Sequence, residues 1–338
     1  MPRNLLFAVS LLLLLCASCA HRSDFFKFDG RAQGTFYSVQ YFDPQHRSLQ
    51  QQIDSILLDF DRAVSLWVDS SNLSRLNRGD DSLLFPVTAE ILEKSLLVNR
   101  ITDGAFDCRV GSLVNAWGFG AKNGCYPDSA TIDSLLLVCR SAVGIRTDAS
   151  GSKFFLRDDP RTEIDFNAIA QGYSVDLVAR YLDSLGISNY LIDIGGEVIA
   201  RGQKRDGHPW VVGIEKPADN RHSAPVVMQA VELSDAALVT SGNYRKYYEK
   251  DGVRYSHTID PMTGYPVNHS LLSVTVIDST SWRADALATA FMVMGLDSAL
   301  RFIDTHPVTP YVYFIYDDNG QYATYATPSF NKLISNQD

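Results

Sequence analysis

The sequence predicts an α+β fold, with mixed or antiparallel sheets and helices packed on them. Three observations carry the prediction. Some stretches repeat apolar residues at the spacing of a helix face, while others are short runs rich in Val, Ile, Tyr and Phe, most of them bounded by Gly, Pro, Asn or Asp. The two kinds follow one another irregularly, unlike the strand and helix alternation of a parallel α/β sheet. No segment repeats at a fixed period and no Pro- or Ser-rich linker divides the chain, so residues 20–338 read as a single domain.

In chain order, residues 36–41 read as a strand. A helix follows from Ile53, Ile56, Leu57 and Phe60, which share one face, and a second from Ile91, Leu92, Ser95, Leu96 and Ile101. Residues 122–131 are the most loop-like stretch. Val175, Leu177, Val178, Tyr181 and Leu182 form a third helical face. Strands are then expected at 190–194, 210–214, 226–233, 272–277 and 311–316, with a helix opening at Arg283 and continuing to Met294 between the last two.

The amino end holds Arg3, an apolar run over 5–15 interrupted only by Ser10, and then Cys16, Ala17, Ser18 and Cys19. A short basic segment, an apolar stretch and small residues before a cysteine are the parts of a lipoprotein leader. The run falls short of the roughly 20 apolar residues that span a bilayer, which favours a cleaved signal over a permanent span. Residues 1–19 are therefore expected to be signal peptide and lipobox. The mature protein would be exported, anchored to a membrane by lipid on Cys19, and would face the periplasm.

At 46% hydrophobic and 20% charged residues, the chain has the balance of a globular protein with a sizeable core. A net charge of -9 argues against a nucleic-acid partner, because phosphate backbones are held by a surplus of Lys and Arg. Beyond the leader, Cys108, Cys125 and Cys139 show no CxxC spacing, and the seven His form no HExxH pair. Neither a disulfide framework nor a zinc site is indicated, although one disulfide stays open.

Four polar segments and two aromatic turns have the residue types for chemistry. Glu163-Ile164-Asp165-Phe166-Asn167-Ala168-Ile169-Ala170-Gln171-Gly172 reads as a strand ending at Asp165 and bending into a helix. Its backbone N–H groups and positive helix end suit an anion, or Asp165 or Asn167 simply caps the helix. Thr240-Ser241-Gly242-Asn243-Tyr244-Arg245 can bond phosphate oxygens or be an ordinary turn, and it lacks the Walker pattern. The segment from Ser256 to Pro266 contains His257, the histidine best placed for acid–base work, although an isolated histidine is more often structural. Arg283-Ala284-Asp285-Ala286-Leu287-Ala288-Thr289-Ala290 sets Asp285 and Thr289 on one helix face among small Ala residues. Their oxygens suit Mg²⁺; the plainer reading is an Asp favouring the helix dipole beside a packed Thr. Gly104-Ala105-Phe106-Asp107 and Asn115-Ala116-Trp117-Gly118-Phe119-Gly120 can hold a planar ring or turn a corner of the core.

Taken in order, Gln33-Gly34-Thr35, Ser65 to Ser70 with Leu76-Asn77, Gly104 to Asp107, Trp117 to Gly120, Asp165 to Gly172, Asp193-Ile194-Gly195-Gly196-Glu197, Thr240 to Arg245, His257 to Pro266 and Ala284 to Ala290 closely resemble the ApbE family of FAD:protein FMN transferases. The resemblance covers nearly the whole mature chain. It implies an α+β fold related to the tunnelling fold, FAD as substrate and Mg²⁺ at its pyrophosphate. It implies that the Ala168 carbonyl, Asp285 and Thr289 hold the metal. Gln33, Trp67, Ala105, Phe106, Asp107, Gln171 and Ile259 would contact the flavin and adenine portions, with His257 by the reacting phosphate. Gln33 stands where the family commonly has Met, and Trp67 where an aromatic residue, often Tyr, is frequent.

The implied reaction is Mg²⁺-dependent transfer of FMN from FAD to a Thr or Ser hydroxyl of an acceptor flavoprotein, with AMP leaving. The acceptor would be a subunit of an exported, membrane-associated electron-transfer complex. Asp285 and His257 are the catalytic candidates, His257 as base. Two other readings use the same segments. Water in place of the hydroxyl makes the chain an FAD pyrophosphatase, and a non-catalytic FAD-binding lipoprotein would have no need of the Asp285/Thr289 pair or of His257.

Overall fold

The computed structural model describes residues 24–121, 126–217, 226–243, 247–250, 253–306 and 311–334. The leader, Cys19, Cys125, Tyr244 and Arg245 lie outside the described residues. In chain order come β1 (Phe25–Ala32), β2 (Thr35–Phe42), α1 (Gln50–Val64), α2 (Asn72–Arg78), α3 (Pro86–Ile101), α4 (Gly111–Ala116), α5 (Ser129–Cys139), β3 (Val143–Thr147) and β4 (Lys153–Arg157). Then follow α6 (Ala170–Ser184), β5 (Tyr190–Ile194), β6 (Glu197–Arg201), β7 (Trp210–Glu215), β8 (Val227–Leu233), β9 (Ala236–Gly242), β10 (Tyr247–Lys250) and β11 (Val253–Ser256). The chain closes with β12 (Leu271–Asp278), α7 (Ser281–Met294), α8 (Leu296–Thr305), β13 (Val312–Asp318) and β14 (Gln321–Ala326).

Eight strands form one sheet in the order β1-β2-β5-β6-β9-β12-β13-β14, and every neighbouring pair is antiparallel. This is the α+β architecture expected from the irregular alternation of elements. One face buries Tyr37, Val39 and Ile192 against Ile53 and Leu57 of α1 and Val175, Val178 and Leu182 of α6. Further along the same sheet, Val274, Val276 and Phe314 pack on Leu287 and Phe291 of α7 and Phe302 of α8. The other face is closed by the β7–β8 hairpin and the turn at Phe330–Leu333, whose Trp210, Ile214, Val231 and Phe330 cover Leu238, Ile277 and Ile315. A buried side chain of this kind contributes about 1.5–3 kcal/mol, so both faces stabilise the sheet.

The sheet has two distinct ends. At one, Phe25 opposes Phe42; at the other, Ala32 opposes Thr35 and the chain reverses through Gln33 and Gly34, with φ of 54° and 74°. Two successive residues with positive φ are what a tight hairpin between twisted strands requires. α1 starts at the Phe42 end, where the Leu49 N–H donates to Tyr41 Oη at 3.0 Å, and runs toward the Gln33 turn. α6 runs the opposite way, reaching the Phe42 end where Arg47 Nη2 donates to the Leu185 carbonyl at 3.0 Å.

Two expectations are corrected. The stretch before Asp165 is irregular and not a strand, because its backbone bonds go to separate segments. Ile164 is gripped on both sides by Asn77, at 2.8 and 2.9 Å; Asp165 N–H donates to the Cys108 carbonyl at 2.7 Å, and Gly111 N–H to the Glu163 carbonyl at 3.2 Å. The loop-like stretch ends early, since Asp128 accepts the Thr131 N–H at 2.8 Å and caps α5. Cys108 and Cys139 are buried free thiols. No helix among the described residues is long and apolar enough to cross a membrane.

Candidate active site

The expected cap on α6 is not made by Asp165 or Asn167. Ile169 occupies the position before the helix, and Asp165 instead accepts the Asn167 N–H at 2.7 Å within the preceding turn. The cap comes from α7: Asp285 Oδ2 accepts the Gly172 N–H in the first turn of α6, at 3.0 Å. In return Asp176 of α6 accepts the Ser281 and Trp282 N–H groups at the start of α7, at 3.0 and 2.8 Å. Each helix thus supplies the carboxylate that satisfies the open donors of the other.

The exchange depends on close approach. A Cβ on Gly172 would lie 2.4 Å from the Ser281 carbonyl oxygen and 2.8 Å from Asp285 Cβ, so only glycine lets α6 and α7 touch here. Burial pushes the Asp176 carboxyl up to about 6. Asp285, 5% exposed, is also held well above the usual carboxylate range by burial; the Gly172 N–H opposes this and the nearby Asp176 charge adds to it.

Among the described residues, Gly172 N–H is the one donor hydrogen-bonded to Asp285, and no cationic side chain stands among the groups that set its proton affinity. A buried carboxylate so little compensated either keeps its proton or is balanced by a cation. Thr289, one helical turn further, is half-buried with its hydroxyl 3.2 Å from Ser241 Oγ, and Ala168 lies in the turn that leads into α6. Carboxylate, hydroxyl and carbonyl are hard oxygen donors, and no group of three or more His, Cys, Asp or Glu gathers among the described residues. The donor set therefore fits Mg²⁺ better than a transition metal.

Gln33, Gln171 and Trp67 belong to the same end of the sheet. Gln33 borders a recess of ≈ 240 Å³ formed by residues 31–36, and its Nε2 is buried with no hydrogen-bond partner among the described residues. Its N–H faces Asp61 in the last turn of α1. Gln171 lies over the β5–β6 turn, where a Cβ on Gly195 would meet Gln171 Nε2 at 2.1 Å and Thr35 Cγ2 at 2.9 Å. Trp67 follows α1 and is 65% exposed, leaving its ring faces open.

The remaining residues form one connected wall. His257 meets the Phe119 ring edge-on at 6.4 Å, and the neighbouring Thr258 hydroxyl donates to Asn243 Oδ1 at 2.6 Å, beside Gly242 and Ser241. Trp117 Nε1 donates to the Gly264 carbonyl at 2.8 Å, which joins the aromatic turn to the His257 segment. Met262 approaches Gly104, its sulfur 3.7 Å from where a Cβ would stand, and so brings in the segment from Gly104 to Asp107. Within that segment Ala105 is half-buried, Phe106 points into the core, and Asp107 grips Arg109 at 2.6 to 3.1 Å. Ile259 is buried and bridges to Pro266. His257, Phe119, Trp117 and Met262 thus tie these segments together with Phe106 and Ile259 packed into the core behind them, while Gln33 and Gln171 stand at the turns that end β1 and β5 and Trp67 just past α1. Asp176 and Asp61 were not singled out in the sequence; the available signal for Asp176 was a carboxylate set among the apolar positions of α6.

The model of the ApbE family matches residues 33–313. An FAD:protein FMN transferase of Vibrio cholerae is 38% identical over 98% of this chain and 99% of its own length, and that of Escherichia coli K12 is 33% identical over 93% and 90%. Among solved structures, the flavin transferase ApbE from Vibrio cholerae superposes with a TM-score of 0.78 at 33% identity, covering 92% of this chain and 99% of that one. The apo form of the Pseudomonas stutzeri flavinyl transferase ApbE gives 0.81 at 32% identity, covering 93% and 98%.

Proposed function

The chain belongs to the ApbE family, and on that footing we propose that it is an FAD:protein FMN transferase that needs Mg²⁺ and acts on a Thr or Ser hydroxyl of an exported acceptor flavoprotein. The acceptor is a subunit of a membrane-associated electron-transfer complex, and the enzyme is held at the membrane by lipid on Cys19, facing the periplasm. The observation that carries the metal and the chemistry is the buried, barely compensated carboxylate of Asp285 beside Thr289 and the first turn of α6.

Asp285, Thr289 and the Ala168 carbonyl would hold the ion. Mg²⁺, when bound, supplies positive charge to the pyrophosphate oxygens of FAD. Gln33, Gln171 and Trp67 hold the dinucleotide at the open end, Trp67 through a ring face. Ala105, Phe106, Asp107 and Ile259 shape the wall against which it lies. His257 takes the proton of the incoming hydroxyl as the acceptor oxygen bonds to the FMN phosphorus. The bond from that phosphorus to the bridging oxygen breaks, and AMP leaves with the electron pair.

Incubating the purified protein with FAD, Mg²⁺ and a candidate acceptor domain, then weighing the acceptor, tests the reading. Gain of one FMN with release of AMP is expected. The exposure of Trp67 at an open end favours one second reading, hydrolysis, since water enters where no partner covers the site. FMN and AMP accumulating with no mass added to the acceptor would establish that reading instead.

A further inference from the structure

The two ends of the sheet divide the proposed flavin site from Asp24, the first described residue. Asp24 is fixed at the Phe42 end: its carbonyl accepts the Asp43 N–H at 2.7 Å, its carboxylate pairs with Arg205 at 3.1 Å, and Phe25 next to it packs on Phe42 with ring centroids 5.1 Å apart. The residues assigned to FAD and the metal stand at the other end. The Gln33 turn closes β1 and β2 there, Gly195 beside Gln171 follows β5, Ser241 beside Thr289 ends β9, and Trp67 lies just past the end of α1.

Three elements measure the separation independently. β1 has 8 residues, which span ~26 Å at strand rise. α1 and α6 have 15 residues each and join the same two ends, spanning ~22 Å at helical rise. Cys19 is five residues before Asp24 in sequence, and five residues at full extension reach no more than roughly 18 Å. A body standing on its site end would lift Asp24 at least ~22 Å from the bilayer, beyond what the tether reaches.

We infer that the lipid tether and the flavin site occupy opposite ends of the molecule, so that the bilayer takes the Asp24 end and the acceptor meets the Gln33–Trp67 end away from the lipid surface. The assignment rests on the proposed lipidation of Cys19 and flavin transfer. It names the kind of partner the site fits: one whose receiving hydroxyl stands on a domain projecting from the membrane, and not at the level of the headgroups.

The test uses the full lipidated chain in phosphatidylcholine vesicles containing a headgroup-labelled energy acceptor. In a Cys125→Ser background, a donor dye is attached through Gln45→Cys, exposed at the Asp24 end, or through Ser70→Cys, exposed beyond Trp67. The Ser70 label is expected to lie ~20 Å farther from the headgroups than the Gln45 label, matching the length of α1. Equal distances, or a Ser70 label nearer the lipid, overturn the assignment. Absence of lipid on Cys19 by mass spectrometry also overturns it by removing the tether. FAD turnover by the same preparations is read separately, so a failure of orientation and a failure of the flavin reading are distinguishable.

Discussion

Replacing Gly172 by Ala sets two effects of opposite sign against each other. Inside a helix, Ala is favoured over Gly by about 1 kcal/mol, so propensity alone predicts a more stable protein. The new Cβ, however, would fall 2.4 Å from the Ser281 carbonyl oxygen and 2.7 Å from its carbon, both backbone atoms that cannot rotate away. Reaching ordinary contact means parting α6 from α7 by about 1 Å, and overpacking of this sort costs about 1–3 kcal/mol. The clash should win. A net loss of up to ~2 kcal/mol lowers Tm by up to roughly 3 °C in a chain of this size. The same displacement pulls Asp285 from the first turn of α6. Because Mg²⁺ tolerates little departure from its preferred geometry, the Mg²⁺ concentration for half-maximal FAD cleavage should rise about 10- to 100-fold. Thermal unfolding and a Mg²⁺ titration of turnover measure both. A higher Tm with an unchanged Mg²⁺ requirement would refute the reasoning, since it would mean the helices part freely and Asp285 does not depend on their contact.

Asp285→Ala should abolish Mg²⁺-dependent FAD cleavage while the protein remains folded, and normal turnover in that variant would remove the metal assignment. His257→Ala should lower kcat by about 10²- to 10⁴-fold with little change in KM for FAD, the usual loss for a general base; full activity at saturating FAD would show that another group takes the proton. Gln33→Met leaves side-chain length nearly unchanged but removes the buried Nε2 donor, so KM for FAD should rise about 3- to 10-fold if that donor is satisfied by the dinucleotide, and an unchanged KM would exclude the contact. Asp176, raised from 3.8 to about 6, binds its proton more tightly folded than unfolded. It therefore favours folding below pH about 4 and progressively loses that contribution, worth about 3 kcal/mol, as pH rises toward 6. Thermal unfolding of Asp176→Asn should depend less steeply on pH across that window, and identical slopes would exclude the linkage.

Much of the fold was legible because burial on one face writes a period into the sequence. Ile53, Leu57 and Phe60 are all buried, as the helical spacing requires, and the strand expected at 190–194 is β5 with its buried residues alternating. β1 and β14 were harder to see because they are the two edges of the sheet. Each pairs on one side only, neither has a fully buried residue, and β1 carries Lys27, Asp29, Gly30 and Arg31 between its apolar positions. At the site, the spacing of Asp285 and Thr289 suffices to put them on one face of α7. Their surroundings could not be read so directly. Asp285 meets Gly172 across 113 residues and Asp176 meets Ser281 across 105, and no local pattern encodes such a pairing.

Under the proposed metal role, reciprocal capping explains how Asp285, with no cationic side chain among the described residues that set its proton affinity, would be kept ready for an ion. A Lys or Arg beside Asp285 would hold it ionised and compete with the metal. The Gly172 N–H orients one carboxylate oxygen at 3.0 Å yet brings only a partial charge. Asp176, fully engaged on the start of α7 at 2.8 and 3.0 Å, fixes the helix that carries Asp285 and adds negative potential near it. The result is a carboxylate whose position is set by two helices packed through a glycine, but whose charge meets no cationic side chain among the described residues that set its proton affinity. That division of labour, geometry from backbone donors and charge from outside, is what a site requires if its cation arrives with, or stays for, a pyrophosphate substrate.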